Sequence, residues 1–249
     1  MSPKTVHLKI KRQTSPDARP CWEEFEVPYR AGMNIITALF DIQKNPVTRD
    51  GKPTTPVAWD CNCLEEVCGA CTMVINGKVR QSCTALIDHL AQPIRLEPMT
   101  KFETIRDLRV NRKRMFNALK RVEAWIPVDG TYALGPGPKL SPEDQQVGYV
   151  LSKCITCGCC VEVCPQYNER SDFIGAAALS QVRLFNLHPT GKMQSGSRLE
   201  AIMGEGGIED CGNAQNCVEV CPKEIPLTTS IAELNRQTTL HALAKLFRR

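Results

Sequence analysis

The chain has 249 residues, enough for two domains with separate cores. Hydrophobic residues make up 42% and charged residues 23%, as in ordinary globular proteins, and a net charge of +4 is too mild to argue for a nucleic-acid partner. Fourteen cysteines are far too many for chance and mean disulfides or metal.

In chain order, Val6, Leu8 and Ile10 alternate with polar residues and predict a strand, with 22–29 as its partner. After Gly32, the residues Ile35, Ile36, Leu39 and Ile42 fall at helical spacing. Met73-Val74-Ile75 and Lys78-Val79-Arg80 flank Asn76-Gly77, a pair that accepts the positive φ of a tight hairpin turn. A closing strand is expected at 94–99. From Thr104, a long helix is expected with Ile105, Leu108, Met115, Phe116, Leu119 and Val122 on one face. Six basic residues lie between Arg109 and Arg121 with no acid among them, and read as a solvated face of that helix rather than a docking surface. Pro127, Gly130, Gly135, Pro136, Gly137, Pro138 and Pro142 mark 127–142 as a loop. From Glu143 the chain reads as mostly helical, broken by cysteine-rich turns. At the end, Leu240, Leu243, Leu246 and Phe247 lie near Lys245, Arg248 and Arg249; an amphipathic helix packed on its own domain is the ordinary reading, and contact with a membrane anchor or anionic headgroups the sharper one. The expected boundary separates 1–104 from 105–249.

The cysteines point to metal. Five of them crowd between Cys154 and Cys164, and the start MSPKTVHLKIKR has no apolar secretory core and no twin-arginine signal, so a reducing cytoplasmic setting is expected. No apolar run approaches the roughly 20 residues that span a bilayer. The chain is expected to have no transmembrane segment of its own and to reach a membrane through a partner.

Cys63-x4-Cys68-x2-Cys71, followed by Cys83, is the plant-type ferredoxin spacing for a [2Fe–2S] cluster. A loop containing Gly69 can wrap such a cluster, with Cys83 supplied across the Asn76-Gly77 hairpin. A structural zinc site would more often use two CxxC knuckles. Cys154-x2-Cys157-x2-Cys160-x3-Cys164-Pro165 is the bacterial two-cluster run, whose fourth cysteine serves the other cluster. Its matching half, Cys211-x5-Cys217-x3-Cys221-Pro222, carries Ala214 where a ligand should stand. Cys154, Cys157, Cys160 and Cys221 then hold a [4Fe–4S] cluster. Cys164, Cys211 and Cys217 supply three thiolates, the set for [3Fe–4S]. Cys21, Cys61 and Cys159 remain, read as small buried residues without a metal role.

A plant-type domain followed by a bacterial-type domain with one incomplete cube resembles the iron–sulfur subunit of succinate dehydrogenases and fumarate reductases. NCLEEVCGACTMVINGK, QPIRLEPM, SKCITCGCC, SQVRLFNLHPTG and CGNAQNCVEVCPKEIPLT carry the likeness over nearly the whole chain. The resemblance implies an α+β protein: an N-terminal β-grasp plant-type ferredoxin domain, then a mainly α-helical bacterial-type one. It implies two partners, a flavoprotein subunit with FAD and a heme-bearing membrane anchor, and electron flow from flavin through the three clusters to quinone, or the reverse. The dicarboxylate chemistry would belong to the flavoprotein, and the complex would lie on the cytoplasmic face of the membrane. Ubiquinone-reducing relatives carry a tryptophan shortly after the first Cys-Pro and a histidine after the first cysteine of the last group. Here Pro165-Gln166-Tyr167-Asn168-Glu169 lacks the tryptophan, and Gly212 follows Cys211, so the chain looks more like the menaquinone-linked, three-subunit branch. A free-standing polyferredoxin is the rival reading, set against it by the basic charge and the long stretch beyond Cys221.

Overall fold

The computed structural model describes residues 4–127 and 139–247. The chain packs as two units, Met1–Arg112 with Ile155–Glu162, and Lys113–Cys154 with Val163–Arg249.

The first unit is built on a five-stranded mixed sheet in the order β2-β1-β5-β3-β4. Strand β1 (Thr5–Arg12) sends Val6, Leu8 and Ile10 into the core, and β2 (Cys21–Pro28) pairs with it antiparallel from Thr5↔Pro28 to Arg12↔Cys21. Helix α1 (Ile35–Lys44) starts at Asn34, whose Oδ1 accepts from Thr37 N at 2.9 Å. Its apolar face, Ile35, Ala38, Leu39 and Ile42, joins the strand side chains in one core. Strands β3 (Thr72–Ile75) and β4 (Lys78–Gln81) form the expected hairpin, and Asn76 and Gly77 both take positive φ. Asn76 Oδ1 accepts from Arg95 N at 2.7 Å, pinning the turn to β5 (Ile94–Glu97). Strand β5 runs parallel to β1 and antiparallel to β3, which closes the β-grasp sheet.

The long helix expected from Thr104 does not form. The chain makes a small hairpin instead, β6 (Thr104–Arg106) and β7 (Arg109–Val110), and turns helical only in α2 (Lys113–Arg121). The cause is Asp107, buried at the turn with φ +48°. Its carboxylate accepts from Arg12 Nε at 3.0 Å, from Gln13 N at 3.0 Å and from Ala58 N at 2.8 Å. Those bonds tie the turn to the sheet and override the 3.6-residue apolar pattern. Leu108 and Val110 go into the core, while Ile105 and Phe116 stay exposed.

The second unit is helical: α2, α3 (Pro142–Ser152), α5 (Ala176–Leu187), α6 (Ser195–Ala201), α7 (Asn216–Glu219) and α8 (Leu227–Phe247), while the short α4 (Cys159–Glu162) belongs to the first unit. Pro142, read as loop, opens α3 as its first residue behind a Ser141 cap. Gly130, Gly135, Pro136, Gly137 and Pro138 lie outside the described residues. Helix α5 packs against α3 and α8. Helix α8 buries Leu227, Ile231 and Leu234 and is tied to α6 by His241 and Lys245 on Glu200, so it packs on its own unit as read, but Leu240, Leu243, Leu246 and Phe247 stay exposed. Arg248 and Arg249 lie outside the described residues. Among the described residues no helix is long and apolar enough to cross a membrane.

Candidate metal centres

The loop from Cys63 to Cys71 folds back on itself because Leu64, Glu66 and Gly69 take positive φ. This turns backbone N–H groups inward. Cys63 Sγ accepts from Glu65 N at 3.4 Å, Val67 N at 3.2 Å and Cys68 N at 3.2 Å. Cys68 Sγ accepts from Cys63 N at 3.5 Å and Ala70 N at 3.4 Å. These donors, those of Glu65 and Val67 foremost, pull the Cys63 thiol down to about 7. A loop whose amides already face sulfur stabilises the charge of a thiolate-bound cluster. Cys71 and Cys83 are buried beside Ile36, with Cys61 and Trp59 packed against them. Asn34 Nδ2 donates to Cys83 O at 2.8 Å, so the cap of α1 also fixes the backbone of the fourth cysteine. Burial, opposed by a Glu66 amide and assisted by Cys71, pushes the Cys83 thiol up to about 11. Thiols that crowd one another out of water ionise when a cation joins them.

The second constellation is a conformational repeat as well as a sequence repeat. Cys157 sits between Thr156 at φ +50° and Gly158 at φ +91°, and the short helix α4 begins two residues on. Ala214 sits between Asn213 at φ +51° and Gln215 at φ +64°, and the short helix α7 begins two residues on. Ala214 is thus the backbone counterpart of Cys157 without its thiol. Cys164, Cys211 and Cys217 all lie in the second unit. Burial raises the Cys217 thiol first, and the neighbouring Cys164 and Cys211 raise it further, which places the three within electrostatic reach of each other. Of the remaining set, Cys157 and Cys160 belong to the first unit and Cys154 and Cys221 to the second. The grouping of those four rests on the sequence spacing.

The three spare cysteines differ from one another. Cys159 is buried and Cys61 half-buried, but Cys21 is exposed at the start of β2, against the reading of all three as buried. Burial is the main cause that raises the Cys61 thiol. In the Cys157–Cys159 pair the hydrogen bond between the two side chains raises the Cys159 thiol and lowers Cys157 to about 7. Among the described residues no group of three His, Cys, Asp or Glu closes around a single-ion position. A cluster does not require one, because its thiolates are spread over several irons. We expect Cys21→Ser, Cys61→Ser and Cys159→Ser each to leave every cluster signal in electron paramagnetic resonance (EPR) in place, and Cys63→Ser to lose or shift the [2Fe–2S] signal. Loss of that signal in Cys61→Ser would mean the register is wrong.

Other residues matter here that sequence reasoning missed. Arg109, Lys113, Lys120 and Arg121 are exposed, as a solvated face requires, but Arg112 and Arg114 are half-buried and spend their donors on backbone carbonyls. Arg112 donates to Gly69 O and Ala70 O, Arg114 to Asn168 O at 2.7 Å while stacking on Tyr167 at 4.0 Å, and Arg121 to Glu205 O at 2.7 Å.

Fold and cysteine geometry together define a two-domain ferredoxin-type iron–sulfur protein. Residues 7–117 match the family model described as a 2Fe-2S iron-sulfur cluster binding domain, and 150–225 match that described as a 4Fe-4S dicluster domain. The chain is 62% identical to the succinate dehydrogenase iron-sulfur subunit of Bacillus subtilis, covering 98% of this chain and 96% of that one. It is 31% identical to the fumarate reductase iron-sulfur subunit of Wolinella succinogenes, over 88% of this chain and 90% of that one. A chain of the Mycobacterium smegmatis Sdh1 complex in the apo form shares the fold, with a TM-score of 0.77 at 22% identity over 95% of this chain and 96% of that one. The chain belongs to the family of succinate dehydrogenase and fumarate reductase iron–sulfur subunits.

Proposed function

We propose that this chain is the electron-transfer subunit of a succinate:quinone oxidoreductase, carrying electrons from an FAD-bearing flavoprotein subunit towards quinone at a heme-bearing membrane anchor, or the reverse as a fumarate reductase. The observation that carries the reading is the order of two ferredoxin-type cysteine sets, the second with Ala214 in place of a ligand. The proposed ligands are Cys63, Cys68, Cys71 and Cys83 for [2Fe–2S]; Cys154, Cys157, Cys160 and Cys221 for [4Fe–4S]; and Cys164, Cys211 and Cys217 for [3Fe–4S]. When bound, the clusters supply one-electron carriers of graded potential. The protein's part is to hold thiolates in fixed positions, direct N–H donors at their charge, and shield Cys71, Cys83, Cys157, Cys160 and Cys217 from water. The enzyme's succinate chemistry is assigned to the flavoprotein, so no residue of this chain is proposed as catalytic.

The absence of the tryptophan and the histidine at the two positions noted above supports menaquinone as the quinone and a three-subunit complex. At the second position, a Cβ on Gly212 would come within 2.5 Å of Gln166 Nε2, so Gln166 fills the space that a larger residue there would take. The exposed apolar end of α8, beside Lys245, supports a peripheral position against the anchor. A metal census tests the cluster reading. The anaerobically purified complex should hold about nine non-heme irons and no stoichiometric zinc. Zinc in place of iron would overturn it.

A further inference from the structure

Within the basic run, Arg112 turns inward. Its Nη1 donates to Gly69 O at 2.8 Å and its Nη2 to Ala70 O at 2.9 Å. These two carbonyls lie between Cys68 and Cys71, both proposed [2Fe–2S] ligands. Two consecutive carbonyls match the planar fork of a guanidinium and do not match the single point of an ammonium. A second chain of bonds holds the same turn from β3 and β4. Thr72 Oγ1 donates to Gly69 O at 2.8 Å, Gln81 Nε2 donates to Thr72 Oγ1 at 3.1 Å, and that Nε2 also reaches Cys159 Sγ at 3.4 Å.

The turn touches the other cysteine run directly. A Cβ on Gly69 would lie 2.7 Å from Cys157 Cα and 2.9 Å from Ile155 O, and φ there is +67°. Only glycine lets the backbone between Cys68 and Cys71 lie against the backbone of Cys157, a proposed [4Fe–4S] ligand. All of these residues belong to the first unit. Arg112 hydrogen-bonds to carbonyls, so its full charge remains to act on the sulfurs around it. Electrostatically it is felt by Cys157, Cys159 and Cys71 as well as by Asp60, which itself pairs with Arg109 at 3.2 Å.

We propose that Arg112 is a positioning residue for electron transfer between the first and second clusters: it clamps the Gly69–Ala70 turn against Cys157 and sets one half-buried positive charge beside both thiolate sets. The inference rests on the ligand assignment proposed above. Reduction of either cluster adds one negative charge and breaks no bond, so a fixed cation nearby favours the reduced form of both. The clamp also keeps the backbone contact short, and an electron's passage between two centres depends on such contacts.

The test is redox-poised EPR on the intact complex carrying Arg112→Gln or Arg112→Lys. The wild-type complex must first show the [2Fe–2S] and [4Fe–4S] signals; their absence would overturn the ligand assignment itself and the proposal with it. In Arg112→Gln we expect both signals at full intensity, with the reduced-to-oxidised ratio of each at fixed ambient potential falling about tenfold, about 59 mV for one electron. The [3Fe–4S] potential should not move. In Arg112→Lys the potentials should stay near wild type, while single-turnover oxidation of the first cluster by the second slows. Unmoved potentials in Arg112→Gln, or an equal shift of the third cluster, would overturn the proposal. Should Arg112→Gln fail to assemble, Arg112→Lys decides: slowed transfer supports the clamp, and wild-type transfer overturns it.

Discussion

Ala214→Cys is expected to convert the three-iron cluster into a four-iron one. The backbone argument is local. Ala214 is flanked by left-handed residues and followed by a short helix, as Cys157 is, so a cysteine there takes the conformation that the proposed ligand Cys157 adopts in the other half. The steric demand is small, because Ala214 is exposed and the change adds one sulfur. The new thiolate would complete four ligands with Cys164, Cys211 and Cys217 and retain the iron that three ligands let go. An added anionic ligand disfavours the reduced state, so the potential of this centre should fall, and each tenfold change in its reduced fraction corresponds to about 59 mV. In the proposed order this is the last centre before quinone. Quinone reduction by succinate should slow, while flavin reduction by succinate stays normal. The check is an iron count raised by one, with loss of the oxidised-state EPR signal of a three-iron cluster. A mutant that keeps that signal would mean that Ala214 points away, and the grouping of Cys164 with Cys211 and Cys217 would be abandoned.

Much of the first unit was legible because its signals are local. The alternation in β1, the apolar face of α1 and the Asn76-Gly77 turn are each set by a few adjacent residues, and each forms where expected. The stretch from Thr104 failed because the deciding bond is remote in sequence. Arg12 reaches Asp107 across the whole unit and fixes a turn that the apolar spacing had hidden. The cysteine sets were legible as spacing, but their conformational repeat was not, since Thr156 and Gln215 carry no sequence mark of a positive φ, unlike Gly158 and Asn213. The role of Gly69 was half visible. Its need for a turn is readable, whereas the pressure of Cys157 against it comes from a segment far along the chain. The arginines were misread for the same reason. A run of like charge on a supposed helix reads as solvated, yet Arg112 and Arg114 spend their donors on backbone carbonyls that no local pattern reveals.

Arg198 is the extreme case, and replacing it should cost the second unit more stability than replacing Arg114 or Arg121. Its setting in SGSRLEA looks like an exposed helix surface, but the side chain is 0% exposed. Nε donates to Glu123 O at 3.0 Å, Nη1 to Gly191 O at 2.6 Å and to Asn186 Oδ1 at 3.3 Å, and Nη2 to Trp125 O at 2.8 Å and to Gln194 Oε1 at 3.3 Å. The fork therefore ties the segment after α2, the end of α5 and the turn before α6 to one point. Burial lowers its pKa, but a guanidinium keeps its proton in proteins, so a charge is being solvated by carbonyl oxygens in place of water. Arg198→Met keeps most of the volume and removes all the donors. Three backbone carbonyls and two side-chain oxygens lose their partner, in a place that water enters only if the packing opens. An unsatisfied buried polar group costs about 1–3 kcal/mol, and several acceptors lose their donor at once. We expect a loss of about 3 kcal/mol, read as earlier thermal loss of the [3Fe–4S] signal in the intact complex. Arg198→Lys should fall between the two, because an ammonium keeps the charge but cannot reach both sides of the fork. If Arg198→Met melts with the wild type, water has replaced the guanidinium, and the network is not what joins these three segments.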